Sequence, residues 1–187
     1  MYLNNYQHLK NNETYFFIFL FLFSLLIRLP VILLFGDTSL VNEWENLVHN
    51  LITHGKLAYD LDGFLLPNLY MPPLYAYYLY FFSFFNLENK NYIILILSSQ
   101  ILLASISVVV FYKINKLFFS QKISFYSSLM FSLFPLHMYA CSQISSISLQ
   151  MFLVIFYLYF FFQFVKKKNL SSIVIFSFLS GLLILLR

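Results

Sequence analysis

From Tyr15 onward the sequence is a succession of apolar runs broken by short polar stretches, and the length of each run constrains what the chain can fold into. Tyr15 to Phe35 has the length, about twenty residues, that a helix needs to cross a hydrocarbon core of roughly 30 Å. It is too long for the hydrophobic region of a signal peptide and lacks a small-residue cleavage site, so a retained first span is expected. Further runs are Leu74 to Phe85, Tyr92 to Tyr112, Ile123 to Tyr139, Ile147 to Val165 and Leu170 to Leu186. With 61% hydrophobic and 10% charged residues and a mean hydropathy of +0.79, the chain is far more apolar than a soluble domain, which is about half apolar and a quarter charged. It reads as an integral membrane protein.

The run Leu74 to Phe85 decides the topology. Its twelve residues, LYAYYLYFFSFF, make only about 18 Å of helix at 1.5 Å per residue, and four of them are tyrosines, which favour the headgroup interface. A helix that lies at or dips into the surface is expected. With the N-terminus cytoplasmic, Lys10, Lys113, Lys116, Lys122 and the triplet Lys166 to Lys168 then fall inside, and only Lys56, Lys90 and Arg187 fall outside. A crossing at Leu74 to Phe85 would reverse that against the positive-inside rule. The fold class predicted is all-α, a polytopic membrane helix bundle of about five spans, with residues 36–91 as one long external loop containing interfacial helices. Residues 1–187 read as a single transmembrane domain. Pro135 is expected to kink or end its span, and the ending SGLLILLR suggests the N-terminal part of a longer protein.

The carboxylates are sorted just as sharply. Of seven, all but Glu13 lie between Asp37 and Glu88, and none follows. Within that stretch Val41, Trp44, Leu47, Val48, Leu51 and Ile52 recur at helical spacing, Asn42 with Glu45 resembles a helix start and Gly55 suits the position just past its end. This predicts an amphipathic helix with its Trp stripe in the lipid interface and Asn42, Glu43, Asn46 and Asn50 on the wetter side. Leu57 to Pro73 reads as irregular, with turns at Gly63, Pro67 and Pro72-Pro73.

Asp37 and Glu43 are the leading catalytic candidates. A carboxylate at the outer end of a span, partly screened from water and near a cation, can take a proton from a hydroxyl. It can equally help hold a divalent cation through oxygen ligands, and the plain alternative is a solvated loop acid. Arg28 and Arg187 sit at outer membrane ends, where a guanidinium binds phosphate bidentately or snorkels to ordinary headgroups; Lys56 is a weaker candidate of the same kind. Ser142, Gln143, Ser145 and Ser146 could donate hydrogen bonds to a ligand or serve as interhelical polar groups. His49 and His54 have no third ligand in view, so no metal site is assigned. Cys141 has no partner cysteine, and no basic run interleaved with aromatics marks a nucleic-acid surface. Glycine-rich phosphate loops and Ser-His-Asp patterns are absent.

A first span, an acidic loop with NEWENLVHNLITHGKLAYD, the stretch LPNLYMPPLYAYYLYFF and short-looped spans after it resemble the N-terminal half of C-type glycosyltransferases. The similar group includes the dolichyl-phosphate-mannose protein mannosyltransferases, the aminoarabinose transferase of lipid A and the lipopolysaccharide-core galacturonosyltransferases. Its aromatic-x-PPLY element stands here as Tyr70, Met71, Pro72, Pro73, Leu74 and Tyr75. The resemblance implies a membrane enzyme of the bacterial inner membrane, loop 36–91 periplasmic, that moves a sugar from a polyprenyl-phosphate donor to a lipid, glycan or protein acceptor at the outer face, usually with inversion. A loop acid, Glu43 or Asp37, would be the base; Arg28, Arg187 and Lys56 would meet the donor phosphate; Trp44, Asp62, Pro72, Pro73 and Tyr75 would form the substrate loop. Two departures stand out: Leu40 falls where some relatives have Asp, and the second external loop reads SSIS where many carry an acid. In the family a C-terminal half completes the donor site. The competing classes are a lipid-linked-sugar transporter or flippase and a non-catalytic membrane subunit. Sugar, acceptor, cofactor and oligomeric state stay open at this stage.

Overall fold

The computed structural model describes the backbone of residues 2–40, 43–61 and 64–187 and the side chains of residues 13–40, 44–60 and 64–187. Among the described residues the chain forms α1 (Tyr2–Phe35), α2 (Glu43–His54), β1 (Ala58–Leu61), β2 (Phe64–Pro67), α3 (Pro73–Ser83), α4 (Asn89–Asn115), α5 (Gln121–Ser132), α6 (Pro135–Ala140), α7 (Ser146–Lys167) and α8 (Leu170–Ile184). It is an all-α helical bundle carrying one small hairpin. Three helices are long and apolar enough to cross a membrane by themselves: Glu13–Phe35 of α1, Asn89–Asn115 and Ser146–Lys167. Helix α8, at fifteen residues, is shorter, and the run Ile123 to Tyr139 is divided between α5 and α6. Pro135 explains that break, since it opens α6, where a missing N–H costs nothing.

Helix α4 is the axis, packed against α1, α3, α5 and α7. On α5 the small residues Ser124, Ser128 and Ser132 are buried one turn apart, and each hydroxyl donates to a carbonyl of its own helix. Small, self-satisfied side chains let helices approach closely where the surroundings are apolar.

The two ends of the bundle are distinct. At one end Lys116, just past α4, pairs with Glu13 of α1, the Lys113 ammonium stands 5.0 Å from the Phe17 ring centroid, and Phe118 meets Phe162 near the end of α7. At the other end the backbone N–H of Asp37 donates to Ser142 (3.1 Å) and that of Leu74 to Leu185 (3.1 Å). Helices α1 and α4 are therefore antiparallel, so 36–88 returns the chain to the end from which it left. Helix α3, about 16 Å long at 1.5 Å per residue, packs alongside the first half of α4: the Tyr92 hydroxyl donates to the Leu79 carbonyl at 2.8 Å, and the Gln100 amide to the Tyr75 hydroxyl at 2.7 Å.

The loop end departs from the sequence reading in three ways. The stripe Trp44, Leu47, Val48 and Leu51 does not lie in lipid; it is buried in one cluster with Tyr75, Leu79 and Ile96, because α3 and α4 offer it a protein surface first. Asn50 is not on a wet face; it is buried and its amide donates to the Ala58 carbonyl at 2.8 Å, tying α2 to β1. Leu57 to Pro73 is not irregular throughout, since β1 and β2 pair antiparallel from Ala58↔Pro67 to Leu61↔Phe64. Gly55 does end α2, at φ 63, a left-handed conformation that glycine adopts without strain.

Candidate functional site

Two features of the loop end can carry chemistry: a corner around Asp37 and a cavity beside it. The corner begins at Gly36. A Cβ on that residue would stand 2.4 Å from the Ile32 carbonyl oxygen, so the chain can turn tightly off α1 only with glycine there. The turn delivers Asp37 to the α6–α7 connection, where a carboxylate oxygen accepts the Ile144 backbone N–H at 2.6 Å. Gln143 adds a bond from its amide to the Phe35 carbonyl at 2.7 Å, and the Ser142 hydroxyl donates to Tyr139. Asp37 and Gln143 thus tie the end of α1 to the α6–α7 connection, while the Ser142 hydroxyl satisfies the end of its own helix.

The PPLY element approaches the same corner. Asn68 accepts the backbone N–H groups of Tyr70 and Met71 and donates to the Met71 carbonyl, a side-chain turn that sets the entry to Pro72 and Pro73. Pro73 then occupies the first position of α3, for which its fixed φ is suited. Two residues on, Tyr75 is 0% exposed and packs edge-on against Trp44, ring centroids 4.8 Å apart. Burial pushes the Tyr75 phenol above its usual range, and the neighbouring Tyr78 hydroxyl and the Asp37 carboxylate push it the same way. Tyr75 is therefore a neutral hydroxyl held by Gln100. Leu186 is buried in the same cluster, which brings the exposed Arg187 to the start of α3. Trp44 and Tyr75 are the core of this platform, while Pro72 and Pro73 are half-buried at its surface.

Arg28 lies deeper. Its guanidinium is 0% exposed, so the snorkelling reading is corrected: it faces the bundle, where it donates to the Ser24 carbonyl at 2.9 Å and to the Ser24 hydroxyl, and contacts His137 Nδ1 at 3.1 Å. Arginine only donates, so His137 accepts through Nδ1 and carries its proton on Nε2. Three bonds, each worth about 1.5–3 kcal/mol for a charged group, are enough to offset the roughly 2.5–3.5 kcal/mol cost of inserting a cation. His137, which the sequence reading passed over, is 109 residues away from its partner in sequence; only its place beside Pro135 in an apolar run hinted at it.

The cavity, about 570 Å³, lies between α2, the segment 38–40 and the α3–α4 turn. Its polar lining includes Thr38, Glu45, His49, Ser83, Asn86 and Asn89, and its apolar lining includes Val48, Ile52 and Ile93. Glu45 and His49 share a face of α2 one turn apart, as i and i+4 must. Asn86, at φ 48, reverses the chain between α3 and α4; asparagine is among the few residues that tolerate this. The volume falls within the range of small-molecule sites. Lys56 is exposed just past α2. The side chains of Glu43 and Asp62 lie outside the described residues, as do Val41, Asn42 and Gly63, and Glu43 is placed by its backbone alone, at the first residue of α2. Among the described residues no three of His, Cys, Asp and Glu come together as metal ligands.

Residues 64–187 match the dolichyl-phosphate-mannose-protein mannosyltransferase family. The chain belongs to that family. It is an integral membrane protein of the C-type glycosyltransferase class, and the family uses a polyprenyl-phosphate sugar donor. The matched residues span β2 and α3 to α8, PPLY included; Asp37 and Glu43 precede them. No curated protein and no solved structure matches the chain.

Proposed function

We propose that the chain transfers a sugar from a polyprenyl-phosphate donor to a hydroxyl of a lipid, glycan or protein acceptor, and that the loop end of the bundle, facing the periplasm of a bacterial inner membrane, is where transfer occurs. The observation that carries this reading is the sorting of charge in a family member: Asp37 and Glu45 stand at the end opposite Lys113 and Lys116, the arrangement the positive-inside rule orients toward the outside.

In this reading Glu43 or Asp37 accepts the proton of the acceptor hydroxyl. The oxygen forms its bond to the anomeric carbon as the bond to the phosphate oxygen breaks, and polyprenyl phosphate leaves with the electron pair. A positioned base contributes typically 10²–10⁴ in rate. Asp37 already accepts a backbone N–H, which favours Glu43 as the base and gives Asp37 the work of holding the two outer connections together. Arg187 at the start of α3 and Lys56 past α2 are the surface cations available to the donor phosphate; Arg28 would reach it only from below. Transfer of a radiolabelled sugar from polyprenyl phosphate in membranes carrying the chain tests this. Loss of transfer in Glu43→Gln supports the mechanism, and full activity in both Glu43→Gln and Asp37→Asn removes it.

A transporter of lipid-linked sugar is the second reading. What favours it is the broken helix at Pro135 next to the buried Arg28 and His137, since interrupted helices and intramembrane ionisable groups mark transport sites. The family match weighs toward transfer.

A further inference from the structure

We propose that the lysine end of the bundle holds an anionic glycerophospholipid. A fatty acyl chain enters the cavity between the α4–α5 connection and the end of α7, and the headgroup phosphate rests on Lys166, Lys167 and Lys168. The site lies away from the loop end, so it does not depend on where or how sugar is transferred.

Charge gives the first reason. All carboxylates but Glu13 lie between Asp37 and Glu88, on the loop side of the bundle, and Glu13 is already paired with Lys116. Three consecutive lysines are nonetheless exposed at the end of α7, and among the described residues none of them makes an ion pair. Lys166 and Lys167 stand in the last turn of α7, where a cation also favours the helix's own carbonyl end. Lys168 stands beyond that turn at φ 50, a left-handed backbone that glycine or asparagine adopts at less cost. The helix dipole does not account for a lysine there, whereas an anion outside the chain does. Asn169 accepts the Ser171 N–H at 3.1 Å and caps α8, so the three ammoniums are presented from a fixed connection between two helices.

The cavity beside them gives the second reason. It measures about 490 Å³ and is lined by Leu117, Phe118, Phe161, Phe162, Val165 and Lys166. Lys166 is the one polar side chain of that lining, so a free ion would find apolar wall where a lipid finds room for its methylenes. Phe162 and Lys166 are four residues apart on α7 and share a face, and Phe118 meets Phe162 edge-on with ring centroids 5.0 Å apart. Phe162 lies about 6 Å deeper along α7 than Lys166 at 1.5 Å per residue. Cation outside and apolar wall inside is the order in which a lipid presents phosphate and then chain on descending from a bilayer surface. Basic pockets beside spanning helices hold such headgroups. A net anionic headgroup is selected over a zwitterionic one, whose own ammonium would face the same three cations.

The test is native mass spectrometry of the full chain in detergent, titrated with phosphatidylglycerol and with phosphatidylcholine of the same acyl chains. Wild type should bind phosphatidylglycerol at least about fivefold more tightly, the order of effect of one lysine near an anionic lipid surface. That preference should vanish in Lys166→Gln/Lys167→Gln/Lys168→Asn, where asparagine keeps the left-handed turn. Val165→Trp, at an exposed lining position, fills the cavity with every lysine in place and should weaken phosphatidylglycerol binding by a similar factor. Lys90→Gln, an exposed cation near the start of α4, should change nothing, and glycerol 1-phosphate should not displace the lipid. Circular dichroism confirms that each variant is folded. Equal binding of the two lipids by wild type, or an undiminished preference in the folded triple variant, would overturn the site. So would a loss in Lys90→Gln equal to that in the triple variant, which would mean attraction by overall charge. Displacement by glycerol 1-phosphate, or full binding by Val165→Trp, would show a surface anion site in place of a lipid site.

Discussion

The two ends of the bundle are made from the same apolar helices and do opposite things with their polar residues. At the lysine end the connections are short, residues 116–120 and 168–169, and the charges remain at or near the surface: the Lys116 and Glu13 side chains are 28% and 38% exposed. At the loop end two helices and a hairpin bury Trp44, Leu47, Tyr75 and Leu79 in one cluster with Ile96 of α4 and Leu149 of α7, and polar side chains bond backbone groups far away in sequence. A polar group that can reach water needs no fixed partner, whereas one drawn into a packed platform must find one. The loop end is accordingly the part whose geometry is specified and whose disruption should be costly.

The largest effect expected is chemical. Glu43→Gln should lower sugar transfer about 10²–10⁴-fold with little change in thermal stability, measured by labelled-sugar transfer and by unfolding in detergent. Trp44→Ala should come next. Removing a buried Trp costs about 3–5 kcal/mol, so the variant should release α2 from α3, seen as faster proteolysis between residues 36 and 72 while the spans stay intact. Equal resistance to protease in wild type and Trp44→Ala would mean that Trp44 does not hold α2 on the bundle.

His137→Ala sharpens the comparison from within the bundle. It takes away the His137 contact of the buried Arg28, at a cost of about 1–3 kcal/mol for an unsatisfied buried donor, and it loosens the α1–α6 contact that precedes the Asp37 corner. Asp37→Ala should act on the same corner by freeing the Ile144 N–H, at about 1–3 kcal/mol, whereas Asp37→Asn keeps an acceptor oxygen and should lose much less. Equal destabilisation by the two Asp37 variants, read from unfolding midpoints, would show that the Ile144 bond does not hold the corner.

Which of these features could be read in advance follows from how far apart their causes lie. The three long apolar helices follow from run length, the shortness of α3 from twelve apolar residues, the end of α2 from Gly55 and the break before α6 from Pro135, which divides a run expected to cross as one span; each cause is local. The hairpin had a local signal too, the Asp62-Gly63 dipeptide between two short runs, but Phe64 to Pro67 lacks the alternation of a half-buried strand. The remaining features depend on contacts across the fold. Asp37 meets Ile144 across 107 residues, and Arg28 meets His137 across 109. Periodicity placed Trp44 on an apolar face without saying whether lipid or protein would cover it. The cavity requires α2 and the α3–α4 turn to meet, so Glu45 and His49 were visible as residues and not as a site.

The smallest effect should be at the lysine end, and that makes it the control for the whole contrast. Lys116→Met removes the ion-pair partner of Glu13. Both side chains are partly exposed, so water and salt screen the pair, and exposed ion pairs are worth about 0–1 kcal/mol. Glu13 is left with access to solvent rather than stranded, unlike Arg28 after loss of His137. The expected shift in unfolding midpoint is therefore smaller than that of His137→Ala and shrinks further as salt is raised. A shift from Lys116→Met that matches or exceeds the His137→Ala shift, and persists in high salt, would mean that the lysine end is as tightly specified as the loop end, and that the difference in how the two ends treat their polar residues does not govern the stability of this bundle.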